Sequence, residues 1–257
     1  MASEQNSIVC EIRDGVARLT LNQPPLNIMN IAMMQEINSA LEGLKSDGNV
    51  KLLVIDHQGK AFSAGVDIKD HTPDKVEEMI EVFHRIFRLL NSLEFPTLAV
   101  VDGAALGGGC ELATFCDLVI ASERAKFGQP EIKLGFFPPV AAVVLPHLIG
   151  RNRALELLLT GDVIKAEEAA RIGLINRVFP VDDFQEKAAE FIARIAAQSG
   201  AVLRLSKRAL DAGLYMSVDD AITKAETLYL SELMQTEDAH EGLAAFVEKR
   251  SPQWKNK

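Results

Sequence analysis

Ala105-Leu106-Gly107-Gly108-Gly109-Cys110-Glu111-Leu112-Ala113-Thr114-Phe115-Cys116-Asp117-Leu118-Val119 is the most informative stretch of the chain. The apolar run Leu98 to Val101 precedes it and reads as a strand. Gly107 to Gly109 follow, then a helix-like run carrying one acid, Glu111, among apolar neighbours. Glycines at a helix N-terminus let a ligand approach bare backbone N–H groups. Backed by the helix dipole, those donors suit an anion or a developing oxyanion. Glu111 falls within the first helical turn, close enough to act on the same ligand. Proton chemistry beside a carbonyl needs that pairing of oxyanion site and carboxylate. The same glycines also serve as a plain tight turn from strand to helix. No Lys-Ser/Thr follows them, as a phosphate loop requires, and their spacing is not the dinucleotide G-x-G-x-x-G.

Farther along, Phe127-Gly128-Gln129-Pro130-Glu131-Ile132-Lys133-Leu134-Gly135 places a second acid in a segment stiffened by Pro130. A carboxylate among apolar groups and rigid backbone has its pKa raised, as a general acid or base requires. Standing alone, Glu131 reads as a surface carboxylate; paired with Glu111 it becomes half of an acid/base pair. Upstream, Lys60-Ala61-Phe62-Ser63-Ala64-Gly65-Val66-Asp67-Ile68-Lys69 follows the apolar run Leu52 to Ile55. Small residues at a strand end again leave backbone N–H groups accessible. An oxyanion hole uses more than one such donor, and separate segments can supply them.

In these segments the chain resembles the enoyl-CoA hydratase (crotonase) family. The matching stretches are Ala61 to Ile68, Ala105 to Leu112, Phe127 to Glu131, Leu159-Thr160-Gly161 and Ala245 to Arg250. They occur in family order, and the resemblance runs from Ile8 to Trp254. It implies an α/β fold, a crotonase-like spiral of ββα units followed by a C-terminal helical oligomerisation region. It implies that the N–H groups of Val66 and Gly108 hold a thioester oxygen, and that Glu111 and Glu131 match the catalytic glutamates of the hydratase branch. Retention of both acids favours water addition over isomerisation, decarboxylation or hydrolysis. Ala64, Asp67, Ile68, Phe246 and Lys249 match positions that contact coenzyme A, the last two often across a subunit boundary. Homotrimers or homohexamers are the implied assemblies.

One stretch departs from the family pattern. Hydratases of straight-chain substrates usually carry a Pro-Gly-Ala-Gly-Gly turn after the second acid. Here the chain reads Gly135-Phe136-Phe137-Pro138-Pro139-Val140-Ala141-Ala142. Pro139 fixes φ and removes a donor, and Val140 stiffens the backbone further. Phe136, Phe137, Pro138, Pro139 and Val140 are therefore expected to form a reshaped acyl pocket. This variant is similar to hydratases of cyclic dienoyl-CoA such as cyclohexa-1,5-diene-1-carbonyl-CoA. A straight-chain 2-enoyl-CoA hydratase, an enoyl-CoA isomerase and a non-enzymatic binding protein of the same fold remain as alternatives.

Composition is that of a soluble enzyme. The chain has 257 residues, 48% of them hydrophobic, and is expected in the cytoplasm because the start, Met1 to Asn6, is polar. A net charge of −9 opposes nucleic-acid binding. The same charge makes local cations necessary for an anionic CoA ester, with Lys249, Arg250, Lys60 and Lys69 as candidates. Cys10, Cys110 and Cys116 lack metal-ligand spacing, and the histidines form no HExxH pattern; no metal and no cofactor beyond the CoA of the substrate are expected.

Outward from the glycine run, Val9 to Ile12 and Val16 to Leu21 flank Asp14-Gly15, a hairpin signal. Pro24-Pro25-Leu26-Asn27 breaks the pattern. Helical spacing covers Ile31 to Leu44 and Asp74 to Leu93. Alternating strands and helices imply mainly parallel pairing, but the alternation alone does not separate a spiral from a doubly wound sheet. After Ser199 no strand signal remains; Val202 to Ala212, Val218 to Leu233 and Glu237 to Lys249 read as helices. The expected division is an α/β core over residues 1–198 and a helical association region over 199–257.

Overall fold

The computed structural model describes residues 6–257; the polar N-terminal start, up to Gln5, lies outside them. Strands β1 (Ile8–Arg13) and β2 (Val16–Leu21) form the expected antiparallel hairpin. Asp14 and Gly15 both take positive φ, 52° and 80°, as a tight hairpin turn between right-twisted strands demands. Helix α1 (Ile31–Lys45) starts where the Asn30 side chain accepts the Met33 N–H, and it buries Met33, Met34, Ile37, Leu41 and Leu44.

From there the chain winds in turns of similar make. Strand β3 (Leu52–His57), short strand β4 (Ala61–Ser63) and helix α2 (Val76–Asn91) form one turn. Strand β5 (Thr97–Val101), β6 (Ala104–Leu106) and α3 (Gly108–Phe115) form the next. Strand β7 (Leu118–Ser122), β8 (Lys126–Gly128) and α4 (Pro139–Ile149) form a third. Each turn gives its longer strand to a six-stranded sheet ordered β1-β2-β3-β5-β7-β10, with β10 at Arg177–Phe179, and its shorter strand to a four-stranded sheet ordered β4-β6-β8-β9, with β9 at Val163–Lys165. This is the crotonase-like spiral rather than a doubly wound sheet, and from β2 onward the larger sheet is parallel. The strand entering the glycine run is β6, which follows a corner at Asp102-Gly103, and not the Leu98–Val101 run read from sequence.

The remaining elements close the core. They are α5 (Arg151–Thr160), β9 (Val163–Lys165), α6 (Ala166–Arg171), β10 (Arg177–Phe179) and α7 (Phe184–Ala196). One face of the larger sheet, with Leu53, Ile55, Ala99 and Val101, packs toward α1, α2 and α3. The other, with Leu52, Val54, Leu98, Val100 and Ile120, packs on Phe184, Ala188 and Ile192 of α7. Burial on both faces explains why these strands are unbroken apolar runs in the sequence.

Helices α8 (Gly200–Gly213), α9 (Val218–Ser231) and α10 (Glu237–Glu248) follow. Helix α9 stops short of the expected Leu233, which instead opens a single 3₁₀ turn, Leu233–Gln235. Lys249 is not helical: it caps α10 in the left-handed region at φ 55°. The C-terminal segment folds back, with Trp254 Nε1 donating to Ala197 O and the amides of Lys255 and Asn256 donating to the buried Asp238 carboxylate. Among the described residues no helix is long and apolar enough to cross a membrane.

Helix α3 lies against β4 with no room to spare. A Cβ on Gly109 would sit 2.4 Å from Ser63 O and 2.6 Å from Ser63 Cβ. Alanine is the better helix former by roughly 1 kcal/mol, yet the clash is with backbone and outweighs that gain. Gly109→Ala is expected to lower stability by about 1–3 kcal/mol, the usual cost of overpacking a filled core. Urea unfolding checks this; a midpoint at or above wild type would show that α3 and β4 separate freely.

Candidate active site

The loop after β4 is held by a second segment that the sequence marks only as a break. Ala64 N–H donates to Leu26 O, Met29 N–H to Gly65 O and Asp67 N–H to Met29 O, each at 2.9 Å. Gly65 N–H donates to Ser63 Oγ at 3.1 Å. Among the described residues, Val66 N–H is the amide of residues 64–67 that donates to no protein acceptor.

The second turn is the N-terminus of α3. Gly107 has φ 53° and ψ −128°, a conformation open to glycine, and its N–H donates to Gly128 O at 2.9 Å. Glu111 N–H is the first amide of α3 to reach a helical acceptor, Gly107 O at 2.9 Å. The N–H groups of Gly108, Gly109 and Cys110 are therefore left over, as at any helix start. A Cβ on Gly108 would lie 2.8 Å from Val66 Cγ2 and 2.9 Å from Phe83 Cζ. A Cβ on Gly65 would lie 3.7 Å from Gly108 N. The structure thus brings Val66 and Gly108 into contact, each with a free amide, at the positive end of a helix.

Both glutamates flank this contact. Glu111 sits in the first turn of α3 with 3% exposure, and its Oε1 accepts the Ala141 N–H at 2.8 Å. Burial pushes its pKa up to about 8; the charge of Glu131 pushes the same way, while the amides of Ala141 and Val140 oppose. Glu131 stands on the 3₁₀ turn Pro130–Leu134 rather than in an open loop. Its Oε1 lies 2.6 Å from where a Cβ on Gly107 would be, and its Oε2 is buried without a partner. Burial raises the pKa of Glu131 as well. Like charges in a site of low dielectric resist joint ionisation, so the charge of Glu131 adds to the rise that burial imposes on Glu111.

The stretch after Glu131 divides. Pro138 is buried, and Val140 packs against the main core. Pro139 opens α4, where its missing N–H is of no consequence to the helix. Phe136 and Phe137 are exposed, Phe137 by 70%, and the Phe136 ring stands 5.4 Å from that of His71, just beyond the Val66 loop. Only these two rings are free to form a wall toward a ligand.

The expected CoA contacts fall in two places. Ala64 and Asp67 are half-buried and Ile68 is exposed, all on the rim beside Val66. Phe246, 83% exposed on α10, and Lys249 belong to the helical region, and no hydrogen bond joins either to Val66, Gly108, Glu111 or Glu131. Of the candidate cations, Arg250 is paired with Glu241 and Glu248. Cys110 and Cys116 are buried thiols whose pKa burial pushes up to about 12, so neither supplies a nucleophile. Sequence reasoning missed the part played by residues 26–29, for which the Pro24-Pro25 break is the available signal, and the Ala141 amide that holds Glu111.

Comparisons with known proteins bear on the family. The sequence model of the enoyl-CoA hydratase/isomerase family matches residues 11–257. The chain is 38% identical over 251 residues to the crotonyl-CoA hydratase of Syntrophomonas wolfei, covering 95% of this chain and 96% of that protein. It is 37% identical over 246 residues to the cyclohexa-1,5-dienecarbonyl-CoA hydratase of Thauera aromatica, covering 95% of each. The crystal structure of enoyl-CoA hydratase from Bacillus anthracis aligns with a TM-score of 0.92 at 33% identity, covering 98% of this chain and 100% of that one. The chain belongs to the enoyl-CoA hydratase/isomerase family. Within it, the chain is a hydratase-type enzyme.

A buried acid with a raised pKa has a consequence for stability. Folded Glu111 keeps its proton up to about pH 8, whereas unfolded Glu111 loses it near the ordinary glutamate value of 4.5. Between those values the folded state binds more protons, so this group's contribution to stability is lost as pH rises. Glu111→Gln, which still accepts from Ala141, does not titrate. Its melting temperature relative to wild type is expected to rise steadily from pH 5 to pH 8. Parallel melting curves across that range would show that Glu111 titrates normally.

Proposed function

We propose that the enzyme adds water to an α,β-unsaturated CoA thioester, using Val66 and Gly108 as oxyanion donors and Glu111 and Glu131 as its acid/base pair. The observation that carries this reading is the contact between Val66 and Gly108, with buried Glu111 and the half-buried Glu131 carboxylate against the same turn. In this mechanism the thioester oxygen sits between the two amides, which draw electron density from the conjugated carbon. One glutamate takes a proton from water as the water oxygen bonds to that carbon. The enolate so formed collapses when the other glutamate delivers a proton to the α-carbon, and the C=C bond becomes C–C. Donors fixed before the charge develops need no rearrangement in the transition state.

The specific substrate we propose is a cyclic dienoyl-CoA such as cyclohexa-1,5-diene-1-carbonyl-CoA, with water adding at the far end of the conjugated system. Near-equal identity to relatives named for crotonyl-CoA and for the cyclic diene does not distinguish the two substrates. What favours the ring is the wall: Phe136 beside His71, with exposed Phe137 next to it, on a segment stiffened by Pro138 and Pro139. A flat ring loses less conformational entropy against such a wall than a flexible chain does.

We further propose that the protein assembles as a homotrimer or homohexamer. Tyr215, Leu243, Phe246 and Val247 of the helical region are between 64% and 78% exposed, or 83% for Phe246, an apolar surface that suits subunit contact. In such an assembly Phe246 and Lys249 would reach the CoA of a neighbouring subunit.

Glu111→Gln and Glu131→Gln are each expected to lower the hydration rate by about 10²–10⁴-fold with the fold retained. Loss of the enoyl-thioester absorbance measures this, and near-normal turnover in either variant removes that glutamate from the mechanism. Across a panel of thioesters, kcat/KM is expected to be higher for the cyclic diene than for crotonyl-CoA. The reverse order would refute the ring preference and leave hydration standing. Incorporation of heavy oxygen from labelled water separates hydration from isomerisation, which takes up none.

A further inference from the structure

We infer that Asn27 is a positioning residue for the oxyanion hole, acting through Ser63 and Gly65 to hold the Val66 amide in place. The inference rests on the reading of Val66 N–H as an oxyanion donor. Asn27 is fully buried and takes a left-handed backbone, φ 48°, which asparagine tolerates better than most residues. Nothing in the proposed chemistry uses it, yet its backbone and side-chain polar groups are all engaged by hydrogen bonds.

Its side chain ties the start of β4, and the turn before it, to Gln23, while its backbone carbonyl holds the far end of β4 at Ser63. Nδ2 donates to Gln58 O and to Ala61 O, both at 2.8 Å, and Oδ1 accepts the Gln23 N–H at 2.8 Å. Its carbonyl oxygen accepts the Ser63 hydroxyl at 2.7 Å. Ser63 Oγ in turn accepts the Gly65 N–H at 3.1 Å. The relay from Asn27 thus ends on the residue immediately before Val66.

The same relay reaches the second donor. Ser63, also fully buried, is the residue against which Gly109 of α3 packs with no space for a Cβ. Displacing Ser63 therefore shifts the Val66 loop and loosens the seat of α3, whose first amide is Gly108 N–H. Flanking backbone bonds, Ala64 to Leu26 and Asp67 to Met29, engage the neighbouring amides and leave Val66 N–H free. An oxyanion donor acts only within a few tenths of an ångström of its productive position. A buried, side-chain-locked support beneath the loop supplies that precision.

The test uses Asn27→Gly, which keeps the left-handed backbone but loses the side chain, and Ser63→Ala, which breaks the relay at one atom. Each is compared with wild type in turnover of the best thioester in the panel. In parallel, the carbonyl stretch of butyryl-CoA, labelled with heavy carbon at the thioester carbonyl, is read by infrared difference spectroscopy in the bound state. Wild type is expected to lower the carbonyl frequency on binding. Both variants are expected to show a smaller lowering and a kcat reduced roughly 10- to 100-fold, as misplacement of a donor predicts. KM should change less than about threefold, because ground-state contacts along the CoA are untouched.

Circular dichroism establishes folding. If Asn27→Gly does not fold, Ser63→Ala decides alone. Folded variants with the wild-type frequency shift and kcat would overturn the inference. Absence of any shift in wild type would instead refute the oxyanion reading on which it stands, and the inference with it.

Discussion

Everything in this molecule that bears on chemistry depends on one close approach, that of the α3 N-terminus to the loop after β4. Gly108 meets Val66 and Phe83, and Gly109 meets Ser63, at distances that leave no place for a side chain. Hydrogen atoms in place of Cβ atoms let two backbone turns share one small volume. That volume is bordered by amides whose dipoles, and that of the helix behind them, point inward. The spiral creates the approach, because successive turns place β4 and β6 side by side in the smaller sheet.

The same compactness sets the electrostatics. Glu111 has almost no water contact, and Glu131 presents an unpartnered oxygen to the interior. In water both would be ionised at neutral pH; here burial raises both pKa values. Ala141 at the start of α4 opposes part of that rise by donating to Glu111, which orients the carboxylate without fully stabilising its charge. A folded protein gains nothing in stability from such a pair, and burial of unpaired acids is ordinarily selected against. Their presence fits groups kept for proton transfer near neutral pH.

The C-terminal helices differ in character from the core. They bury little of their own apolar surface and expose Tyr215, Leu243, Phe246 and Val247. Their internal order comes from polar anchors instead: the Asp238 carboxylate holds the returning tail, and Glu241 gathers Arg250 and the Gln253 amide. An ordered yet uncovered apolar region of this kind is the ground for the subunit association proposed above.

Much of this was legible along the chain, for a local reason. A hairpin at Asp14-Gly15, apolar strands such as Leu52 to Ile55, and the helical stripes of α1 and α2 follow from periods and turn residues over a few positions. The glycine run and both glutamates stood out because their residue types are unusual where they occur. The short strands β4, β6, β8 and β9 were not legible, since three residues carry no period, and with them went the choice between spiral and doubly wound sheet. Phe136 and Phe137 stay at the surface while Val140 enters the core, a division that their shared apolar character does not reveal. Asn27 looked like a break in the pattern; only the fold carries Leu26 to Met29 across to Ala64 to Asp67, where hydrogen bonds between distant segments place the free amide. Residue type and local backbone preference are properties of short stretches, so the available groups can be read along the chain. Which of them meet, and how far their pKa values move, follows from folding, because contact and desolvation arise only when distant stretches exclude water together.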